Sequence, residues 1–363
     1  AMDELVVGKP TQLTTDIGPV IDAEAQQNLL AHINKMKGVA KAYHEIKTAA
    51  DVDDNNSTFV RPILFELNNL NELQREVFGP VLHVVRYRAS ELDQLIDQIN
   101  AKGYALTSGV HSRIEGTVDH IRDRIEAGNI YVNRNIVGAV VGVQPFGGHG
   151  LSGTGPKAGG SFYLQRLVRT PEWVAPTLSR IGQADEDALK RLETLVHKLP
   201  FNAEEKKTAA AALGHARVRT LRKAETVLVG PTGERNSLSW RSPKRVWVHG
   251  GNLLQAFSAL TELAAAGIQT VVEPNSPLAS YSADLDGLLQ VNSKPENAGI
   301  SHVAAIEPLS SERKQELAGR DGALIRILPS EQGLDILQVF EEISCSINTT
   351  AAGGNASLMA VAD

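Results

Sequence analysis

Segments with the apolar spacing of a β-strand alternate with segments spaced like an α-helix, in two runs separated by a glycine-rich break. That alternation admits few architectures. In the first run the pattern predicts a helix over 22–36, with Leu29, Leu30, Ile33 and Met36 at helical spacing, then strands over 59–67 and 81–87. Ser90 reads as the N-cap of the next helix, followed by a strand over 107–111, a helix over 117–125 and a strand over 128–133. A strand is expected over 161–170. The second run opens with helices over 186–199 and 204–213. Strands are then expected over 225–229, 245–249, 268–272, 301–306 and 323–328, with helices over 253–266, 285–290 and 312–318. Residues 336–343 read as helical or extended. The fold class is therefore α/β, with mostly parallel sheet covered by helices, and the second run has a Rossmann-like succession.

The break between the runs, 138–160, holds nine glycines: Gly138, Gly142, Gly147, Gly148, Gly150, Gly153, Gly155, Gly159 and Gly160. Val140, Val141, Val143, Phe146 and Leu151 are too much apolar bulk for a flexible linker. Glycine here is expected to permit unusual backbone angles and close approach of the main chain to a ligand. A net charge of −6 offers no basic field to nucleic acid. No apolar run approaches the roughly 20 residues of a membrane-spanning helix. One cysteine, Cys345, excludes an internal disulfide framework, and with no secretory pattern at the start this favours the cytoplasm.

Short motifs narrow the class. Arg75-Glu76-Val77-Phe78-Gly79-Pro80, Gly103-Tyr104-Ala105-Leu106-Thr107-Ser108-Gly109-Val110 and Gln144-Pro145-Phe146-Gly147-Gly148-His149-Gly150-Leu151-Ser152-Gly153 stand in the order and spacing of the aldehyde dehydrogenase superfamily, which they resemble. Thr15-Asp16-Ile17-Gly18-Pro19-Val20-Ile21-Asp22 is similar to a string of glutamate-semialdehyde dehydrogenases. Asn133 to Gly142, Thr154 to Gly160 and the closing stretch from Asn348 to Met359 resemble the proline utilization A family, in particular the C-terminal part of its longer bacterial members.

The resemblance implies NAD-dependent oxidation of L-glutamate γ-semialdehyde (1-pyrroline-5-carboxylate) to glutamate in proline catabolism. It implies Glu76 as the clamp on the nicotinamide ribose, whose two hydroxyls a carboxylate can accept, with Phe78 packed beside it. It implies Gly138 and Ala139 as the anchor for the substrate carboxylate through exposed backbone amides, and Phe146 as the aromatic wall beside the substrate chain. In this family the nucleophilic cysteine, the general-base glutamate, the cofactor-binding Rossmann domain and the FAD-dependent proline dehydrogenase module lie upstream of a segment like Asp3-Glu4-Leu5. No catalytic residue is therefore assigned. Cys345 reads as a small strand residue, and His149 has no companions for a metal.

The expected division is 1–160 as the C-terminal part of an aldehyde dehydrogenase catalytic domain, 161–170 and 344–350 as strands of a β-flap, 171–343 as an inserted Rossmann-like domain, and 351–363 as a tail. The chain alone is expected to be inactive and to self-associate. It should bind NAD weakly or not at all. Two other readings stand beside this one: a non-catalytic assembly or lid module, and a nucleotide-binding protein using the Gly250-Gly251 turn.

Overall fold

Asp22 ends the extended segment before the first helix by accepting a hydrogen bond on Oδ1 from the Ala25 amide at 2.8 Å. The helix α1 (Ala23–Val39) follows. In this computed structural model, which describes residues 1–46, 57–168 and 174–350, α1 buries Leu29, Ile33 and Met36. Leu30 lies on its exposed side. These three pack on β2 (Ile63–Leu67), the middle of a three-stranded sheet between antiparallel β1 (Ala42–Glu45) and parallel β3 (Val81–Val85). Ser90 is not the expected cap. A single 3-10 turn, Ala89–Glu91, precedes α2 (Leu92–Ala101), and Glu91 Oε2 accepts from the Arg88 amide at 3.0 Å. These elements form one compact unit, residues 1–102.

The second unit starts at residue 103. It opens with β4 (Tyr104–Ala105), β5 (Thr107–Val110), α3 (Glu115–Arg124), β6 (Asn129–Val132) and β7 (His149–Gly150). The helices α4 (Glu186–Val196) and α5 (Ala203–Arg219) come next, then the antiparallel pair β8 (Glu225–Leu228) and β9 (Glu234–Arg241). A doubly wound module follows: β10 (Arg245–His249), α6 (Leu253–Ala265), β11 (Gln269–Val272), β12 (Leu289–Val291), β13 (His302–Ala305), α7 (Ser311–Gly319) and β14 (Arg326–Pro329). All five of its strands are parallel, in the order β12-β11-β10-β13-β14. The chain winds outward from β10 in both directions, as in Rossmann-like folds. The face toward α4, α5 and α6 is a large apolar cluster that includes Leu192, Leu213, Phe257 and Leu260.

Three segments differ from the sequence expectation. Residues 285–290 form no helix, because the chain turns and then enters β12. Residues 161–168 form turns and a 3-10 helix, Leu164–Leu167, in place of a strand, and 169–170 lie outside the described residues. Residues 341–348 form the strand β15 (Glu341–Asn348). It does not pair with 161–168 as a flap. It runs parallel to β6 on one side and antiparallel to β9 on the other, in a sheet ordered β5-β6-β15-β9-β8. β15 is almost wholly buried and needs cover on both edges, which a two-stranded ribbon would not give it.

His302, in β13, is buried and fixes its own tautomer. Its Nε2 lies 3.2 Å from Arg326 Nη1, and a guanidinium only donates, so Nε2 accepts. The Nδ1–H then donates to Ser301 Oγ at 2.7 Å. Burial first, and the Arg326 charge second, lower its pKa from 6.5 to about 3. Between those values the unfolded chain binds a proton that the folded chain refuses. The stability present above pH 6.5 is therefore lost as pH falls through that window. In urea titrations at a series of pH values, His302→Asn is expected to make this acid decline shallower, leaving the part set by His149, which burial also lowers, to about 4. An unchanged slope would show that other groups set it.

Candidate active-site segments

Gly79 has no room for a side chain, since a Cβ there would lie 2.5 Å from Leu29 Cδ1. Val77 packs inward against the α1 cluster. With Val77 held in and Gly79 pressed on α1, the alternate residues Glu76 and Phe78 project outward. Both are exposed, Phe78 at 87% of its full area. They border an open depression of about 260 Å³ together with His32 and Arg75. The exposed phenylalanine beside a carboxylate sets an apolar face next to a hydrogen-bond acceptor. It suits the apolar edge and hydroxyls of a nucleoside. At its rim His32 and His83 approach Nε2 to Nε2 at 2.9 Å, so one must be neutral there. Burial lowers both pKa values.

The glycine-rich segment of the second unit is built on buried polar side chains. Gly138 has φ +83, and the amides of Gly138 and Ala139 donate to no protein group among the described residues. The next amide, Val140, is closed off by Gln144 Oε1 at 3.1 Å. Gln144 is buried and uses its Nε2 to reach Glu234 Oε2 at 3.0 Å and Ser346 Oγ at 3.2 Å. Arg134 donates to the other Glu234 oxygen and to Ser346 Oγ. The loop carrying Gly138 and Ala139 is thus pinned to β9 and β15, elements 90 and 202 residues further along the chain.

Phe146 is held from both sides. Its amide and carbonyl pair with Ala158 at 3.0 and 2.9 Å. The Pro145 carbonyl accepts from Ser344 Oγ at 2.7 Å, and the Gly147 carbonyl accepts from Lys157 Nζ at 2.6 Å and Asn129 Nδ2 at 3.1 Å. Lys157 also donates to Asn129 Oδ1 at 2.9 Å, and its amide donates to Glu342 Oε2 at 2.8 Å. Burial lowers the Lys157 ammonium to about 7 and raises the Glu342 carboxyl. Gly128 must be glycine, since a Cβ would sit 2.2 Å from the Gly147 oxygen. The result is a fixed backbone with the Phe146 ring at 36% exposure.

The sequence motifs identified Glu76, Phe78, Gly138, Ala139 and Phe146, and the structure puts each on a presented surface. They missed Gln144, Arg134, Glu234, Asn129 and Lys157, which brace the segment carrying Gly138, Ala139 and Phe146. A glutamine or lysine inside a glycine-rich run was the available signal.

Cys345 lies in the middle of β15 between Ile130 and Ser237, buried, with burial pushing its thiol up to about 11. That is the opposite of an activated nucleophile. Around His149 the described residues form no cluster of metal-ligating groups. The Gly250-Gly251 turn packs tightly on the segment after β13: a Cβ on Gly250 would meet Glu307 Cβ at 2.6 Å, and on Gly251 would meet Ile306 Cγ2 at 2.7 Å. Asn252 and Gln255 satisfy the first amides of α6 with a reciprocal capping box. Two carboxylates, Glu273 and Glu307, stand at this end of the sheet, where a pyrophosphate would need positive charge.

Comparison with known proteins agrees with these motifs. Residues 1–171 match the model of the aldehyde dehydrogenase family. The bifunctional protein PutA of Klebsiella aerogenes is 41% identical over 378 residues, covering 97% of this chain and 28% of the relative. A 1-pyrroline-5-carboxylate dehydrogenase of Geobacillus is 37% identical over 163 residues, 44% of this chain and 30% of the relative. Proline utilization A from Corynebacterium freiburgense shares the fold over 96% of this chain and 33% of its own, with a TM-score of 0.66 at 23% identity. The chain spans less than a third of the length of the PutA relatives it matches. Residues 1–171 carry an aldehyde dehydrogenase domain, and over 97% of its length the chain is similar to PutA, at 41% identity to that of Klebsiella aerogenes.

Proposed function

We propose that this chain is the part of an NAD-dependent L-glutamate γ-semialdehyde dehydrogenase that holds cofactor and substrate, while nucleophile and base come from a segment it does not contain. In this reading Glu76 accepts the two ribose hydroxyls and Phe78 packs beside the nicotinamide. The open amides of Gly138 and Ala139 take the substrate carboxylate, and the Phe146 ring flanks its aliphatic chain. The observation that carries it is the rigid presentation of Phe146, fixed through Pro145, Gly147 and Ala158 with its ring left exposed. A core phenylalanine would be covered. We assign residues 1–160 to the catalytic-domain part and 171–343 to a separate α/β domain. The exposed Phe78, Val137, Val141 and Leu164 favour self-association. FAD would belong to a module outside this chain. The carboxylates Glu273 and Glu307 near the Gly250-Gly251 turn speak against an independent nucleotide-binding role.

The test uses the chain extended upstream until a cysteine nucleophile is included. Glu76→Gln is expected to raise KM for NAD by about tenfold with KM for the semialdehyde unchanged, and Phe146→Ala to do the reverse. Steady-state kinetics that show both substrates weakened equally by both changes would remove these assignments.

A further inference from the structure

A second concave site lies between the glycine-rich segment 147–157 and the edge of the parallel sheet at β14. It is a cleft of about 150 Å³, a volume that accommodates a benzene-sized molecule. Leu324, Leu337 and Phe340 give it an apolar wall, and Arg320 and Arg326 give it charge. None of Gly138, Ala139 and Phe146 lines it.

The cleft is lined by three cationic side chains, Lys157, Arg320 and Arg326, and two carboxylates, Glu341 and Glu342. Lys157 is spent on Gly147 and Asn129, and one oxygen of Glu342 is spent on the Lys157 amide. Glu341 lies 3.5 Å from His149 and also faces Arg241 and Arg326. Burial disfavours charge on both members of that contact, lowering His149 to about 4 and raising Glu341. The two arginines remain. Arg320 donates through Nη1 to the Ala323 carbonyl at 2.7 Å. Arg326 donates through Nη1 to His302 and to the Gln338 carbonyl. Among the described residues, Nε and Nη2 of both guanidinium groups have no hydrogen-bond partner. Burial, then repulsion by Arg166, lower the pKa of Arg326 to about 10, against a smaller attraction to Glu341. A half-buried arginine whose Nε–Nη2 edge is open, next to a like charge, matches the two oxygens of a carboxylate.

We propose that this cleft binds a compact organic carboxylate, with the carboxylate on the open edges of Arg320 and Arg326 and the apolar body against Leu337 and Phe340. The probe is benzoate, titrated calorimetrically into the full chain. Its neutral isostere benzamide and inorganic phosphate serve as the other arms. Benzoate is expected to saturate with a Kd of about 1 mM or tighter, and benzamide and phosphate to bind at least about tenfold more weakly. Arg320→Met and Leu324→Trp should each weaken benzoate by about tenfold or more, the first by removing the charge and the second by filling the cleft from its exposed mouth. Leu324 is exposed and Arg320 half-buried, and circular dichroism checks that the fold is kept. No saturation by about 20 mM benzoate would overturn the proposal. Equal binding of benzamide would overturn the role of the arginines, and equal binding of phosphate that of the apolar wall. Indifference to both substitutions would put the ligand elsewhere.

Discussion

Given NAD and L-glutamate γ-semialdehyde, the purified chain is expected to form NADH no faster than a protein-free blank. Loss of nucleophile and base from an enzyme of this kind costs on the order of 10⁶ in rate. The chain's one thiol is poorly placed to substitute. Cys345 is closed in by β6 on one side and β9 on the other, and a thiol with a pKa near 11 is thiolate in only about one molecule in 10⁴ at neutral pH. The measurement is NADH absorbance over hours, with the chain and with its Cys345→Ala variant. Turnover that survives the substitution would place a nucleophile among residues assigned only to binding. Turnover that disappears with it would make Cys345 catalytic. Either result would end the reading of this chain as the holding part of the site.

The largest expected loss of stability follows Trp247→Ala. Trp247 is fully buried in β10, with Val271 and Val303 opposite it on the two neighbouring strands. Its ring packs among Ile300, Leu309 and Leu317, meets the His249 ring edge-on at 5.1 Å, and lies under the Arg313 guanidinium, 5.1 Å from the ring centre. Truncation leaves a cavity at the centre of the doubly wound sheet and strips Arg313 of its aromatic support. A cost of about 3–5 kcal/mol is expected. Trp247→Phe should lose less, because the indole Nε1 makes no hydrogen bond in the described structure. Urea unfolding followed by circular dichroism checks both. A change below about 1 kcal/mol for the alanine variant would mean that β10 is not packed in this way.

Much of the fold was legible because the relevant signals are local. The strands β2, β3, β6, β10, β11 and β13 carry dense runs of apolar side chains, and α1 and α6 show clear helical spacing and a capping residue. The strand β9 was missed because its sequence, Glu234-Arg235-Asn236-Ser237-Leu238-Ser239-Trp240-Arg241, is largely polar. Its buried side includes Asn236 next to Leu238 and Trp240. Asn236 is acceptable there through contacts with Gln144 and Glu234. β15 was ambiguous for the same reason. Glu342, Ser344 and Ser346 are core residues there, with one Glu342 oxygen held by the Lys157 amide and the two serines paired with Asn129 and Gln144. Such partners lie up to 215 residues away, and no periodicity in a short window can reveal them. The candidate site shows the same divide. The presented residues belong to contiguous motifs, whereas the groups that brace them are joined only by the fold.

The position of β15 also bears on how the molecule is made. It is the middle strand of its sheet, yet its contacts with β6 are reached only after 215 more residues have been synthesised. Until then the β6 edge and the β9 edge both present unpaired backbone groups, two open templates on one nascent chain. The α/β module between them is built from near-neighbour crossovers and can close early, whereas the sheet that flanks it must wait for the late strand. During that interval the growing polypeptide is most vulnerable to pairing with another copy of itself, and a ribosome pause before Glu341 would lengthen the exposure.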